Sequence, residues 1–170
     1  MTGIAFTPIG TVRSPHHDPR DMPIQPVGAR GIRGTIELDP TYAAGLRDLE
    51  GFSRIILLYH FHRSEGYALE VVPFLDKTPR GVFATRAPRR PNAVGISMLK
   101  LIAVDGATLT VEDVDILDGT PVLDIKPYVP AFDAFPDERA GWLTATSGAA
   151  RTMRSDGRFC WRPRRGPGSV

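Results

Sequence analysis

Ile96-Ser97-Met98-Leu99-Lys100-Leu101-Ile102-Ala103-Val104, then Thr108-Leu109-Thr110-Val111-Glu112-Asp113-Val114-Asp115-Ile116-Leu117, then Val122-Leu123-Asp124-Ile125 follow one another with only short breaks. Each run is rich in branched apolar residues and too short for a packed helix, so each reads as a strand. Asp118-Gly119-Thr120-Pro121 is a tight turn leading into the third run. Within the second run the apolar side changes. Leu109 and Val111 share one face, and Val114 and Ile116 share the other. One extra residue in the ladder, a bulge near Glu112-Asp113, accounts for the change.

The same pattern extends outward. Ile32, Ile36 and Leu38 alternate with Arg33, Thr35 and Glu37, with Gly34 on the apolar face, which marks a half-buried strand. Ile55–Tyr59 is a continuous apolar run that surfaces at His60-Phe61-His62, as a central strand does at its end. Ile4–Val12 and Gly81–Arg86 are two further strands. A helix is expected from Asp39, which caps it, through Pro40, Ala43, Leu46 and Leu49 to Gly51, with a second short one near Pro136–Trp142. Ser14–Arg30 has no periodicity and reads as a long functional loop. Arg154-Ser155-Asp156-Gly157-Arg158, between Met153 and Phe159, reads as a hairpin turn, and Arg164–Val170 as disordered. There is no internal repeat. The expected fold is mainly β: a small closed β-barrel with a few short helices over residues 1–145, then a basic extension over 146–170 that includes the short hairpin.

Composition narrows the function. The 170 residues are 42% hydrophobic and 24% charged, which excludes a disordered chain. No apolar run is long enough to span a membrane, and the N-terminus lacks the pattern of a signal peptide. A single cysteine, Cys160, excludes an internal disulfide and any multi-cysteine zinc site, and fits a reducing cytoplasm. The formal net charge is +2, but from Arg151 onward six arginines face one acid, Asp156. Such a tail suits phosphate contacts or is simply solvated.

Three constellations carry candidate chemistry. His60 and His62, two apart on a strand with Glu65 beyond, approach a cupin metal motif. The spacing to Glu65 is too short, and no histidine follows His62 to complete a ligand set, so no metal is expected. Gly81–Ser97 ends a strand in Arg86, Arg89 and Arg90 set among prolines, which hold guanidinium groups ready for an anion. Asp115–Tyr128 gathers Asp118, Thr120, Asp124, Lys126 and Tyr128 around one turn, where carboxylates can accept a proton, bind a ribose hydroxyl or offset a cationic centre. Rigid turns, surface ion pairs and Asx geometry are the plainer explanations of the last two.

Gly-Val-Phe-Ala-Thr-Arg at 81–86, Arg-Pro-Asn at 90–92 and Leu-Asp-Gly-Thr-Pro-Val-Leu-Asp-Ile-Lys-Pro-Tyr at 117–128 resemble the TrmO family, also called TsaA-like or YaeB-like. Pro-Ile-Gly-Thr-Val-Arg-Ser-Pro at 8–15 and Leu-Glu-Gly-Phe-Ser at 49–53 fit it too. The resemblance runs in register over about residues 4–145. It implies a β-barrel methyltransferase that binds S-adenosylmethionine (SAM), works as a homodimer and methylates N6 of threonylcarbamoyl-adenosine beside the anticodon of a tRNA. In agreement, the chain lacks the glycine-rich signature of a Rossmann nucleotide site.

The resemblance also implies site residues. Pro23-Ile24-Gln25 stands where the family carries Pro-Arg-Gln, and Phe61-His62-Arg63 where it carries Phe-His-Gln, so Ile24 and Arg63 depart from the pattern. The implied cofactor set is Pro23, Ile24, Gln25, His62, Arg63, Arg86, Ile96, Asp115, Ile116, Leu117 and Thr120. Arg86 and Gln25 would hold a carboxylate, and Ile116 and Leu117 would face the adenine. Asp118 is the expected base, with Lys126 and Tyr128 orienting the acceptor. All the cofactor motifs lie between Pro23 and Thr120, so the basic tail is expected to serve tRNA and not the cofactor. Longer members carry a further C-terminal domain, which keeps two other readings open: the same barrel acting on a small molecule, or a non-catalytic SAM-binding or cupin-like metal protein.

Overall fold

The structure is a computed structural model that describes residues 3–160. Six strands close into an antiparallel barrel: β1 (Gly10–Arg13), β2 (Arg33–Leu38), β3 (Arg54–His60), β6 (Val94–Asp105), β7 (Thr108–Glu112) and β8 (Pro121–Pro127). Their order around the wall is β1-β2-β7-β6-β3-β8, and β8 returns to β1. The remaining pair, β4 (Glu70–Val71) and β5 (Arg80–Gly81), forms a small separate sheet within the long β3–β6 connection.

Alternation along the strands fills the interior. Ile55, Leu57 and Tyr59 of β3 point inward, as do Ser97 and Leu99 of β6, Ile36 of β2, and Leu109 and Val111 of β7. Removing each large apolar side chain from water contributes about 1.5–3 kcal/mol. Closure leaves no open sheet edge in the barrel wall.

The change of face after Val111 has a specific cause. β7 ends at Glu112, and Asp113 takes a left-handed conformation (φ 67°). Its carboxylate holds that turn by accepting from Gly31 N at 3.0 Å and Arg54 Nη2 at 2.9 Å. The chain then crosses toward β8 with Val114 and Ile116 buried.

Several expected elements are corrected. The first strand is only Gly10–Arg13, and Gly81–Arg86 is two strand residues followed by a 3-10 turn at Val82–Ala84. Asp39 does cap a helix by accepting from Thr41 N, but Pro40–Leu46 winds as a 3-10 helix with a separate turn at Leu49–Gly51. Of the segment expected near Pro136–Trp142 only Gly141 and Trp142 are helical, in a 3-10 turn at Gly141–Leu143, while α1 (Pro130–Asp133) lies earlier.

The hairpin at Met153–Phe159 is also absent. That segment pairs with the Ser14–Arg30 loop instead of with itself. Pro23 and Arg154 form an antiparallel bridge, Asp21 N donates to Ser155 O, and Ser155 N donates to Met22 O, both at 2.8 Å. A distant partner with free backbone groups outcompetes the local turn. Gly157–Phe159 then closes in a 3-10 turn capped by Asp156. The expected disorder of Arg164–Val170 lies outside the described residues.

Candidate functional site

One broad cleft of about 890 Å³ opens beside the barrel end where β3 finishes and β6 begins. Its floor is the barrel. Tyr59 and Phe61 come from β3 and its exit, Gly95, Ile96 and Met98 from β6, and Asp115, Ile116, Leu117 and Thr120 from the crossover to β8. Gly95 is required there. A Cβ on it would clash with the edge of the Tyr59 ring and sit 2.9 Å from Phe61 Cζ, and these two rings pack edge to face at 5.4 Å.

Most of the wall of the cleft comes from three segments far apart in sequence, with Pro73–Leu75 beside them. The first is the loop carrying Pro19–Val27, the second is Phe83–Arg90, and the third is the chain from Trp142 to Cys160. Arg90 shapes the second segment. Its Nη1 donates to Thr85 O at 2.8 Å and Val82 O at 3.0 Å, and its guanidinium lies over the Phe83 ring. Arg90 is therefore a fastener, while Arg86 is exposed and projects across the mouth. Arg86 Nη1 donates to Gln25 Oε1 at 2.7 Å, joining two loops 61 residues apart in sequence.

The third segment locks the first. The Ser155 hydroxyl donates to Pro19 O at 2.7 Å and accepts from Met22 N at 2.9 Å. Arg154 Nη1 donates to Gly28 O, and a Cβ on Gly28 would sit 2.6 Å from Ala150 O. Arg158 donates to Pro73 O at 2.9 Å and stacks over Phe74, while Trp142 Nε1 donates to Ala84 O at 2.8 Å. The C-terminal segment is thus part of the cleft, where motif positions alone set the tail apart from the implied cofactor residues.

Every residue of the implied cofactor set lines this cleft: Pro23, Ile24, Gln25, His62, Arg63, Arg86, Ile96, Asp115, Ile116, Leu117 and Thr120. The two histidines diverge because the chain turns after His60, with His62 N donating to His60 O. His60 is exposed and bonds Ala93 O through Nδ1. His62 Nδ1 lies 3.3 Å from Thr120 Oγ1, whose own proton goes to Leu117 O, so Nδ1 is the donor. Burial, aided by the Arg63 charge, lowers the His62 pKa and favours the neutral ring. Among the described residues no group of three or more His, Cys, Asp or Glu is placed to hold a metal, and no helix is long and apolar enough to cross a membrane.

The three residues expected to be catalytic are not brought together in the cleft. Asp118 accepts from Ser14 N at 3.1 Å and faces His17 at 3.6 Å, so it fastens the loop after β1. Lys126 pairs with Asp124 on the barrel exterior. Tyr128 N donates to Arg54 O at the start of β3. Val122 pairs with Tyr59 at the cleft end, and Lys126 lies four residues farther along β8, about 13 Å away. Extended strands separate residues that the compact sequence motif places side by side.

Sequence reasoning missed Tyr59 and Ser97, which read as ordinary strand positions. It also missed Phe74, Trp142, Ser155 and Phe159, which sit in segments without periodicity. A serine on the buried face of a strand was the one available signal for Ser97, since such a hydroxyl needs a partner.

Residues 11–134 match the family model described as the tRNA-methyltransferase O N-terminal domain. The chain is 51% identical over 156 residues to a probable S-adenosyl-L-methionine-binding protein of Pyrococcus abyssi, covering 92% of this chain and 85% of that one. It is 37% identical over 159 residues to the tRNA (adenine(37)-N6)-methyltransferase of Escherichia coli, covering 88% of this chain and 68% of that one. The crystal structure of TrmO from Pseudomonas aeruginosa superposes with a TM-score of 0.70 at 40% identity, covering 83% of this chain and 63% of that one.

Proposed function

The chain belongs to the tRNA-methyltransferase O family, and on that premise we propose that it transfers a methyl group from SAM to N6 of threonylcarbamoyl-adenosine beside the anticodon of a tRNA. The observation that carries this reading is the convergence on one cleft of the 23–25, 62–63, 86 and 115–120 segments, tied at the mouth by the Arg86–Gln25 bond.

The residues present fit SAM. Arg86 offers a forked cation for its carboxylate. Ile116 and Leu117 offer apolar surface for the adenine, and Asp115 places a carboxyl group in the floor to meet cationic charge. When bound, SAM supplies a sulfonium-activated methyl group, so the protein's part is to orient the acceptor and exclude water. Anticodon-loop bases are already partly unstacked, which lowers the cost of drawing one into the cleft. Exposed Arg86, the neighbouring Arg89, and the arginines of the tail supply positive charge for the phosphates. The same reading makes the chain a cytoplasmic homodimer, with the exposed rings of Phe132 and Phe135 as apolar surface available to the partner.

The test is to incubate chelator-treated protein with SAM and tRNA carrying threonylcarbamoyl-adenosine, then digest the tRNA and weigh its nucleosides. One added methyl on that nucleoside is the expected result. SAM binding with no nucleoside methylated would move the reading to a small-molecule acceptor. SAM binding that needs zinc would move it to a metal protein.

A further inference from the structure

Among the described residues, two carboxylates line the cleft, and they differ in kind. Asp156 is exposed and held by a forked contact from Arg158 (Nε at 2.9 Å, Nη2 at 2.7 Å to Oδ2), which keeps its pKa low. It is a capping group for the Gly157–Phe159 turn. Asp115 lies in the floor, and among the described residues no cation forms an ion pair with it.

What Asp115 has is a hydrogen-bond chain from the barrel interior. Ser97 Oγ donates to Asp115 Oδ1 at 2.7 Å. Ser97 is wholly buried, and Tyr59 OH lies 3.2 Å from its Oγ. A serine hydroxyl has one proton, and here it goes to Asp115, so the Tyr59 hydroxyl donates to Ser97. The three groups come from β3, β6 and the crossover, the most rigid parts of the cleft. Tyr59 is boxed in further by Gly95, which admits nothing larger beside its ring. A fixed carboxyl at the floor of a substrate-sized cleft, backed by two buried hydroxyls, has the form of a preorganised proton acceptor.

We propose that Asp115 is the general base of the methyl transfer, taking the N6 proton of the acceptor nucleoside as its nitrogen attacks the methyl carbon. This role rests on the function proposed above. The nitrogen lone pair forms the new N–C bond. The C–S bond breaks with its electron pair going to sulfur, and the N–H proton passes to the carboxylate, later to water. A sulfonium and a carboxylate become a neutral thioether and a neutral acid, so opposite charges vanish together in a site of low polarity. No further reactant is required.

Burial of Asp115 pushes its pKa up to about 7, with the Ser97 bond and the Arg86 charge pulling the other way. Arg86 and Tyr59 are the ionisable groups that act on it from the neighbouring elements, and the Tyr59 hydroxyl stays protonated because burial raises its pKa well above the usual tyrosine range. A base that titrates near the working pH combines availability with proton affinity. A bound sulfonium favours the ionised carboxylate and moves the titration to lower pH in the loaded complex.

The experiment measures single-turnover methylation of tRNA across pH at saturating SAM, with calorimetric SAM affinity, for the full chain and for Asp115→Asn and Ser97→Ala. Asp115→Asn should slow transfer at saturating SAM by about 100- to 10,000-fold, a far larger loss than the weakening of SAM binding that follows from removing the charge, and abolish the acid limb of the pH profile. Ser97→Ala keeps the carboxylate but removes a bond that favours its charged form, so the acid limb should move to higher pH. A merely structural contact would not shift that limb, and this variant decides the matter if Asp115→Asn does not fold. The role is overturned if Asp115→Asn keeps a rate within about threefold of the parent once SAM is saturating, so that weakened SAM binding accounts for the whole defect. An unmutated chain that binds SAM but methylates no tRNA would overturn the functional reading itself, and this role with it.

Discussion

The floor and the wall of the cleft are held by different means. The floor is barrel: Tyr59, Gly95, Ser97 and Ile116 are fixed by strand pairing or by burial in the main core. The wall is three excursions clasped by side chains on backbone carbonyls: Arg90 on Val82 and Thr85, Ser155 on Pro19, Arg158 on Pro73. Truncating an apolar side chain of the floor should therefore appear as lost fold. Damage to the wall should appear as lost affinity in a protein that still melts cooperatively. The reacting end of a ligand would be met by the rigid part and its periphery by the adjustable part, which suits a cleft that admits a nucleotide and releases it.

The largest effect expected is on stability. Leu57 is fully buried in β3, so Leu57→Ala should cost about 2–5 kcal/mol in denaturant titration. A loss well under that would mean the barrel is not the stabilising unit. Next comes the clasp. Ending the chain at Thr152 removes Met153–Phe159 and with it the bonds to Pro19, Met22, Gly28 and Pro73. Each such bond is worth roughly 0.5–1.5 kcal/mol, so SAM affinity should fall by at least about tenfold while the barrel still folds. Unchanged affinity would return the tail to the tRNA-only role that motif positions suggest.

Arg86→Ala probes a single wall contact. Loss of a charge-assisted bond should weaken SAM binding by about 1.5–3 kcal/mol with little change in melting temperature, because Arg90 and not Arg86 shapes the loop. A large melting shift with affinity intact would make Arg86 structural.

The floor also predicts a pH dependence of stability. The folded pKa of Asp115, about 7, lies above the unfolded carboxylate value of about 4, so the folded state binds the proton more tightly. The stability this group contributes is present at low pH and is lost as pH rises from about 4 through 7. Asp115→Asn should melt higher than the parent at pH 8.5, with the advantage shrinking toward pH 5. The reverse order would mean that Asp115 is ionised and well paired in the fold.

The strands of the floor were legible in the sequence, since the continuous apolar run Ile55–Tyr59 marks β3 and the branched apolar run Ile96–Val104 marks β6, and the change of face after Val111 announces the turn at Asp113, whereas the place of Tyr59 and Ser97 in the cleft was not. The segments that the resemblance assigns to the cofactor all reach the cleft. The wall was not legible. Its clasp depends on Ser155 and Arg154 meeting backbone groups more than 120 residues away, and no local pattern encodes such a partner. The Arg154–Arg158 stretch even carries a turn signal that the long-range pairing overrides. Asp118, Lys126 and Tyr128 fall outside the cleft lining for the opposite reason. Closeness in a motif becomes distance once the motif is stretched along a strand.

The most direct test of this division is amide hydrogen exchange on the full chain with and without SAM. β3 and β6 should be protected from the outset and change little. Residues 19–28, 82–90 and 147–160 should exchange quickly alone and slow together when SAM binds. Slowing confined to the opposite barrel end, around Arg54 and Lys126–Tyr128, or no joint change in the three wall segments, would contradict the account.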